Sequence, residues 1–470
     1  MSGTTVVPRI FRAYDVRGRT DTELTPEVAR LIGRAHATHL RRKYGAATIV
    51  AGRDTRPSSA GLLAAFAEGA RASGADVVGI GPSPSPLLYF AAARWGMDGG
   101  CNVTGSHGGR EVNGLKLLER EGMPLDGAAI QGLRALIEAD DFEQGTGSLA
   151  QRDARPEYVA YLGERFALRR PLKVVADAGH GVTAIAGPAA LERAGCEVVG
   201  LRTDIEADVP GAPPDPQLPA SMEGLRAAVV AHGADLGVAW DGDGDRLGVV
   251  DETGRRHDPD AILTLLAWDL LTRNPGARVL VDVKVSLATI RAIETHGGRP
   301  EFGPTGHSRA KRLMRQQDIL LGGEASSHFY FREDYFGFDD GIFGACLIAQ
   351  LVSARGRPLS ALMAEARGPA PALVTSPELR IPCDDAAKFR IAEECAARFR
   401  GSRPVLEIDG ARIEFEGGWA LVRPSNTEPV LSVRLEAEDR AAYAAIAAQV
   451  ATALRASGVA SLPLELEGGE

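Results

Sequence analysis

One pattern occurs three times in this chain and decides its fold class. An apolar, β-branched run leads through a helical stretch to a second apolar run. The first copy spans residues 47–52, 59–72 and 75–80. The second spans 172–177, 183–194 and 196–201, and the third spans 277–282, 287–295 and 300–302. Such runs read as strands buried on both faces, and the helices between them imply parallel pairing. The copies lie about one domain length apart. They predict three similar mixed α/β domains with largely parallel sheets. The tail differs. Residues 369–372 are Pro/Ala-rich and read as a linker. Residues 378–382 then follow, with strands around Leu406, Ile413, Trp419 and Leu431 and helices near 386–399 and 441–456, which predicts a smaller α+β domain. The expected domains are 1–153, 154–256, 257–368 and 369–470.

Composition narrows the function classes. A net charge of −9 argues against a general nucleic-acid binder, so an anionic substrate needs a local basic cluster. Five cysteines without a C-x-x-C pair indicate neither a zinc site nor a disulfide framework, and each is expected as a buried thiol. There is no apolar leader and no run of about 20 apolar residues, so the expectation is a cytoplasmic protein without a membrane partner.

Asp241-Gly242-Asp243-Gly244-Asp245-Arg246 places three carboxylates in five residues. Adjacent aspartates repel, and their hard oxygens suit Mg²⁺ or Ca²⁺, with Mn²⁺ possible. The glycines allow a turn tight enough for the carboxylates to converge. An EF-hand is excluded: its sixth position needs Gly and holds Arg246, and both flanks read as strands rather than helices. The loop is expected on a strand–turn–strand element.

Three further loops are rich in polar chemistry. In Thr104-Gly105-Ser106-His107-Gly108-Gly109-Arg110, followed by Lys116, a Ser beside a His suggests a nucleophile with a base, and free N–H groups suit phosphate. It is not a nucleophile elbow, because Thr104 stands where G-x-S-x-G needs Gly. Gly322-Gly323-Glu324-Ala325-Ser326-Ser327-His328 offers donors and acceptors for sugar hydroxyls. Arg423-Pro424-Ser425-Asn426-Thr427-Glu428-Pro429 can surround a phosphate. One competing motif, Gly179 to Ala184 with Asp204 beyond it, formally fits a dinucleotide fingerprint. It would leave the Asp-rich loop unexplained, and no hydride chemistry is visible around it.

Taken together and in this order, the four loops resemble the α-D-phosphohexomutase superfamily, and within it the bacterial phosphomannomutase/phosphoglucomutase branch. The phosphoserine loop matches at Thr104, Ser106, His107, Asn113, Gly114 and Lys116, and the metal loop matches from Asp241 to Arg246. The sugar loop matches at Gly323, Glu324, Ser326 and His328, and the phosphate loop at Arg423, Ser425, Asn426 and Thr427. Residues 11–18, 306–308 and 336–341 also look like family signatures, so the resemblance covers nearly the whole chain. Gly108-Gly109 depart from the usual Asn-Pro, Ser327 from Gly or Ala, and His180 from Asn. The two glycines are expected to loosen their loop.

The resemblance implies a phosphohexomutase. Ser106 would carry a phosphate, pass it to a hexose 1-phosphate, and recover the other phosphate of the 1,6-bisphosphate. Asp241, Asp243, Asp245 and the Ser106 phosphate would hold Mg²⁺. Arg17 and Arg246 would stabilise the moving charge, Lys116 and His307 would handle protons, and His107 would orient the phosphoserine. Tyr14, Arg17, Lys284, His307, Glu324, Ser326, His328, Arg423, Ser425, Asn426 and Thr427 would bind the phosphosugar. Hexose 1,6-bisphosphate is the expected activator, and a monomer or weak dimer the expected state. Phosphoglucosamine mutase and a non-catalytic sugar-phosphate binder are the alternatives.

Overall fold

The computed structural model describes residues 6–206, 214–369, 372–425 and 429–467. Four sheets follow one another along the chain, with six, five, four and six strands. The first three are mixed. In the first, Thr48–Arg53 runs parallel to Asp76–Pro82 and to Gly99–Val103, with helix Ser59–Ala72 as the crossover. In the second, Leu172–Asp177 runs parallel to Cys196–Leu201 and Leu236–Trp240. In the third, Arg278–Asp282 runs parallel to Arg299–Gly303 and Leu321–Gly323. The central strands are buried almost throughout, as their unbroken apolar runs require.

Each mixed sheet also has antiparallel strands, and these carry the polar loops. The strand Gly99–Val103 leads into the loop at 104–111 and returns as the antiparallel strand Val112–Glu119. Leu236–Trp240 and Leu247–Asp251 form a hairpin whose connection is the Asp-rich loop. Leu321–Gly323 and Phe329–Phe331 pair antiparallel around the sugar loop. The fourth sheet is wholly antiparallel, and helices Lys388–Ala397 and Arg440–Ala456 pack against it.

The first three lobes share apolar packing. One continuous core joins helix Ser85–Arg94 to Tyr158, Trp240, helix Pro259–Arg273 and helix Gly341–Arg355. The fourth lobe has a core of its own and meets the third through a small cluster of Val283, Trp419 and Leu421. At this contact the fully buried Arg412 donates to the carbonyls of Val283 and Val285, at 3.0 and 2.9 Å. Glu436 accepts from Leu287 N at 2.6 Å.

One expectation needs adjustment. Four cysteines are buried, but Cys383 is half-buried, because it follows the strand Leu379–Pro382 at the surface. Ala370 and Pro371 of the expected linker lie outside the described residues. No helix among the described residues is long and apolar enough to cross a membrane.

Candidate active site

Ser106 sits at the tip of the first lobe with its backbone in the left-handed region, φ +49°. A serine pays for that conformation unless its surroundings enforce it, and such strain clusters at functional sites. Its Oγ donates to an Asp241 carboxylate oxygen at 2.8 Å, and its N–H donates to Thr104 Oγ1 at 2.9 Å. The two glycines of the Asp-rich loop have different tasks. Gly244 turns the chain at φ +79°. Gly242 permits close approach, since a Cβ there would lie 2.3 Å from the Ser106 carbonyl oxygen.

Asp241, Asp243 and Asp245 are buried, and their oxygens converge within 4.8 Å. Lys116 Nζ lies between two of them, 2.6 Å from Asp243 and 2.5 Å from Asp245. Ser85 Oγ donates to Asp243 at 2.5 Å, fastening the loop to the first lobe. Burial, and then the charges of Asp245 and Asp243, push Asp241 well above the usual carboxylate range. Burial works the same way on Asp245, but Lys116 and His328 hold it well below that range. Burial favours neutral Lys116, yet the two carboxylates keep it charged, well above the ordinary lysine value.

His107 meets Arg246 and Asp215. Its Nε2 lies 2.8 Å from Arg246 Nη2. A guanidinium only donates, so Nε2 accepts and the ring proton is on Nδ1, which faces Asp215 at 3.6 Å. Burial and then Arg246 bring His107 down to about 4, so the ring is neutral at neutral pH. The Ser–His pairing suggested by adjacency fails because the left-handed turn sends the two side chains to different partners. Arg246 Nη1 also donates to Gln217 at 3.1 Å and to Asp215 at 3.3 Å, and Gln217 donates to the Ala325 carbonyl at 2.9 Å. Sequence reading missed Asp215 and Gln217, which lie on a connection without periodic pattern.

The sugar loop joins the metal loop directly. Leu247 N donates to Ser327 O at 3.1 Å, and Arg246 and His328 form an isolated bridge. Glu324 accepts from Gly306 N at 2.6 Å and from Ser326 Oγ at 3.1 Å, with His328 Nδ1 at 3.2 Å. Burial opposes charge on both members of this pair. Even so, contacts with Asp245 and Glu324 raise His328 to about 10, and His328 and Gly306 bring Glu324 to about 2. A second acidic group, Asp245 with His328 and Asp339, also converges. There His328 faces Asp245 at 3.4 Å and Lys311 Nζ lies 2.6 Å from Asp339.

His307 opens helix His307–Gln317, and its Nδ1 is buried without a hydrogen-bond partner among the described residues. Burial, then Lys311 and Lys116, hold its pKa well below the ordinary histidine value. Arg17 pairs with Asp15 at 2.9 Å and donates to Gly105 O at 3.3 Å.

The remaining expected residues form a second group. Tyr14 donates its hydroxyl to Thr305 O at 2.9 Å, and Arg423 Nε donates to Asp409 at 2.7 Å. Asp409 in turn accepts from Thr305 N at 3.3 Å. Lys284 Nζ lies 3.7 Å from Glu378 of the fourth lobe. Ser425 is buried, and its N–H donates to Val430 O at 3.0 Å. Asn426 and Thr427 lie outside the described residues.

The dinucleotide-like motif has another use. A Cβ on Gly181 would come within 3.1 Å of the Gly242 carbonyl, so this turn packs against the metal loop. Helix Gly187–Ala194 begins only after a 3₁₀ turn, Val182–Ile185.

Four family descriptions match in order. They are Phosphoglucomutase/phosphomannomutase alpha/beta/alpha domain I over residues 8–144, domain II over 156–254, domain III over 258–368, and the C-terminal domain over 378–453. The chain belongs to the phosphoglucomutase/phosphomannomutase family. A phosphomannomutase/phosphoglucomutase from Pseudomonas aeruginosa is 39% identical over 435 residues, covering 92% of this chain and 93% of that protein. A phosphoglucomutase from Neisseria meningitidis is 38% identical over 438 residues, covering 92% and 94%. A solved family protein from Burkholderia thailandensis has a TM-score of 0.90 at 38% identity, covering 98% of this chain and 100% of its own. At this identity and coverage, family membership makes the chain a phosphohexomutase, an isomerase.

Proposed function

We propose that this phosphohexomutase interconverts the 1- and 6-phosphates of mannose, glucose or both, through phosphorylated Ser106 and a 1,6-bisphosphate that reorients between two transfers. The observation that carries this reading is Ser106 Oγ held 2.8 Å from Asp241 inside a ring of buried aspartates. In this reading lobes 1–153, 154–256, 257–368 and 369–470 supply the phosphoserine, metal, sugar and phosphate loops.

The donor set fits a hard divalent ion. Three aspartate side chains and the Ser106 hydroxyl converge, and among the described residues the buried Asp243 Oδ1 has no hydrogen-bond partner, while Asp245 Oδ1 faces His328 Nε2 at 3.4 Å. Mg²⁺ held by Asp241, Asp243, Asp245 and Ser106 would neutralise charge on the moving phosphoryl group.

Phosphoryl transfer depends on positioning and charge stabilisation more than on covalent chemistry by the protein. In the first transfer the P–Oγ bond of phosphoserine breaks and a bond from phosphorus to the sugar 6-oxygen forms, and the hydroxyl proton leaves. His307, whose buried Nδ1 has no hydrogen-bond partner among the described residues, receives it, and Lys116, held charged by Asp243 and Asp245 until that point, gives a proton to the released serine oxygen. After reorientation the P–O1 bond breaks, phosphate returns to Ser106 Oγ, and the protons retrace their path. Arg17 and Arg246 add positive charge at the transfer centre. Glu324 and Ser326 read hydroxyls in either orientation, with His328 fixing the Glu324 carboxylate. Arg423, Ser425, Asn426 and Thr427, with Tyr14 and Lys284, hold the phosphate that is not being transferred. Hexose 1,6-bisphosphate serves as activator by restoring phosphate to Ser106.

A panel of mannose, glucose and glucosamine 1-phosphates, assayed with Mg²⁺ and catalytic glucose 1,6-bisphosphate, tests the assignment. Conversion of the mannose or glucose ester is expected. Turnover of glucosamine 1-phosphate alone would move the assignment to phosphoglucosamine mutase, and binding without turnover would leave a sugar-phosphate binder.

A further inference from the structure

Arg56 is absent from every role described so far, yet its guanidinium fills the loop that carries Ser106. Nη2 donates to the carbonyls of Ser106 at 3.0 Å and Gly108 at 2.7 Å. Nη1 donates to those of Gly109 at 2.6 Å and Val112 at 3.2 Å. Nε lies 3.2 Å from Asp54, whose other contacts include the Gly105 N–H at 2.9 Å. One planar cation therefore gathers four carbonyls, and the carboxylate beside it anchors the start of the loop. The fit has no slack: a Cβ on Gly105 would lie 2.3 Å from Arg56 Cζ.

We propose that Arg56 is a positioning residue for phosphoryl transfer, a guanidinium plug that keeps Ser106 in its left-handed conformation with Oγ aimed at Asp241. The physical link is direct. The Ser106 carbonyl moves with its own backbone torsions, so fixing that oxygen opposes relaxation of φ +49° towards the conformations serine prefers. The loop's own sequence cannot do this. Gly108 and Gly109 lie just beyond Ser106, and glycine restricts its own torsions least of all residues. Arg56 supplies the missing stiffness from outside, by holding the carbonyls of both glycines. A lysine could not replace it, since a single ammonium lacks the planar fork that reaches four acceptors.

The inference rests on Ser106 being the phosphoryl carrier, so the experiment separates the two. Full-length wild type is first incubated with glucose 1,6-bisphosphate and Mg²⁺ and its phosphopeptides are mapped. Phosphate absent from Ser106 would remove that reading and this inference with it. With phosphate on Ser106, three variants decide the rest: Arg56→Met, Arg56→Lys and Gly105→Ala. Arg56→Met should lower kcat and the rate of Ser106 phosphorylation together by about 100-fold, with KM changed less than about two-fold, as expected for misplacement without lost substrate contact. Arg56→Lys should recover little of this. Gly105→Ala leaves Arg56 in the chain but evicts its guanidinium, so it should give the same kcat-selective loss, and it carries the test if Arg56→Met fails to fold. The double variant Arg56→Met, Gly105→Ala should be no worse than Arg56→Met alone, because both remove one interaction. Unchanged kcat, a KM effect as large as the kcat effect, or losses that multiply in the double variant would overturn the proposal.

Discussion

The proposed transfer centre and the proposed distal phosphate clamp are built differently. Around Ser106 the charged groups are buried and fixed to each other across lobes: Lys116 of the first lobe to Asp243 and Asp245 of the second, and His328 of the third to Asp245. Around Arg423 the charges of the described residues pair differently. Its one described ion pair is within its own lobe, to Asp409, and Lys284 reaches Glu378 only at 3.7 Å. The lobe beneath it has its own core and a narrow apolar junction. The difference fits the two tasks. A centre that transfers charge gains from groups that need no reorganisation. Under the proposed mechanism a clamp releases and regrasps a turning bisphosphate, which bonds that exchange easily would suit.

The largest test of this contrast is Ser106→Ala. It should lower kcat by on the order of 1,000-fold or more, as loss of a covalent carrier does. Stability should fall by no more than about 1 kcal/mol, the net value of one hydrogen bond. Steady-state kinetics with a thermal melt reads both, and an active alanine variant would refute the transfer centre. Next, Lys116→Met leaves Asp243 and Asp245 buried without their counter-charge. Removing one partner of a buried pair costs about 3–5 kcal/mol, so metal-free protein should melt much earlier, and Mg²⁺ should restore part of the loss. If Mg²⁺ moves the melt of neither wild type nor variant, the aspartates do not form a metal site.

Arg423→Ala should raise KM about ten-fold, equivalent to roughly 1.4 kcal/mol, with a smaller effect on kcat. Phosphate on Ser106 should be retained, and leaked intermediate should make the variant depend on added bisphosphate. A change in kcat alone would place Arg423 with the transfer centre and erase the contrast.

The most local effect, on the pH dependence of stability and not on turnover, concerns how the fourth lobe is seated. Asp260 faces Arg434 of that lobe at 3.7 Å, with Asp282 and Glu436 also nearby. Burial raises it to about 7, against the opposing pull of Arg434. The folded state thus holds a proton that the unfolded chain releases near pH 4. The associated stability is present at low pH and is lost as pH rises from about 4 to 7, by at most about 1.4 kcal/mol per unit. Asp260→Asn should flatten this part of the stability curve relative to wild type. Identical slopes would show that the junction is insensitive to this carboxyl.

Sequence alone was informative where a pattern is local. The parallel strands were legible because strands buried on both faces must be apolar without a break. The Asp-rich hairpin was legible because three carboxylates, two glycines and strand-like flanks sit within a few residues. Partners supplied from afar were not legible. Asp215 and Gln217 meet Arg246 from an irregular connection, and Lys311 meets Asp339 from a helix that reads as strongly polar. Arg56 left one faint signal, since it follows Asp54 beyond the end of strand Thr48–Arg53, where open α/β sheets place their ligands. The role of Gly242 was misread as a turn. It is required by the approach of another loop, which no local pattern encodes.

The most direct test of the account is to locate the phosphate. Wild type, Ser106→Ala and Arg423→Ala are incubated with glucose 1,6-bisphosphate and Mg²⁺, and their phosphopeptides are mapped. Phosphate is expected on Ser106 in wild type and in Arg423→Ala, and none on the corresponding peptide of Ser106→Ala. Phosphate only on another residue, or a fully active Ser106→Ala enzyme, would contradict it.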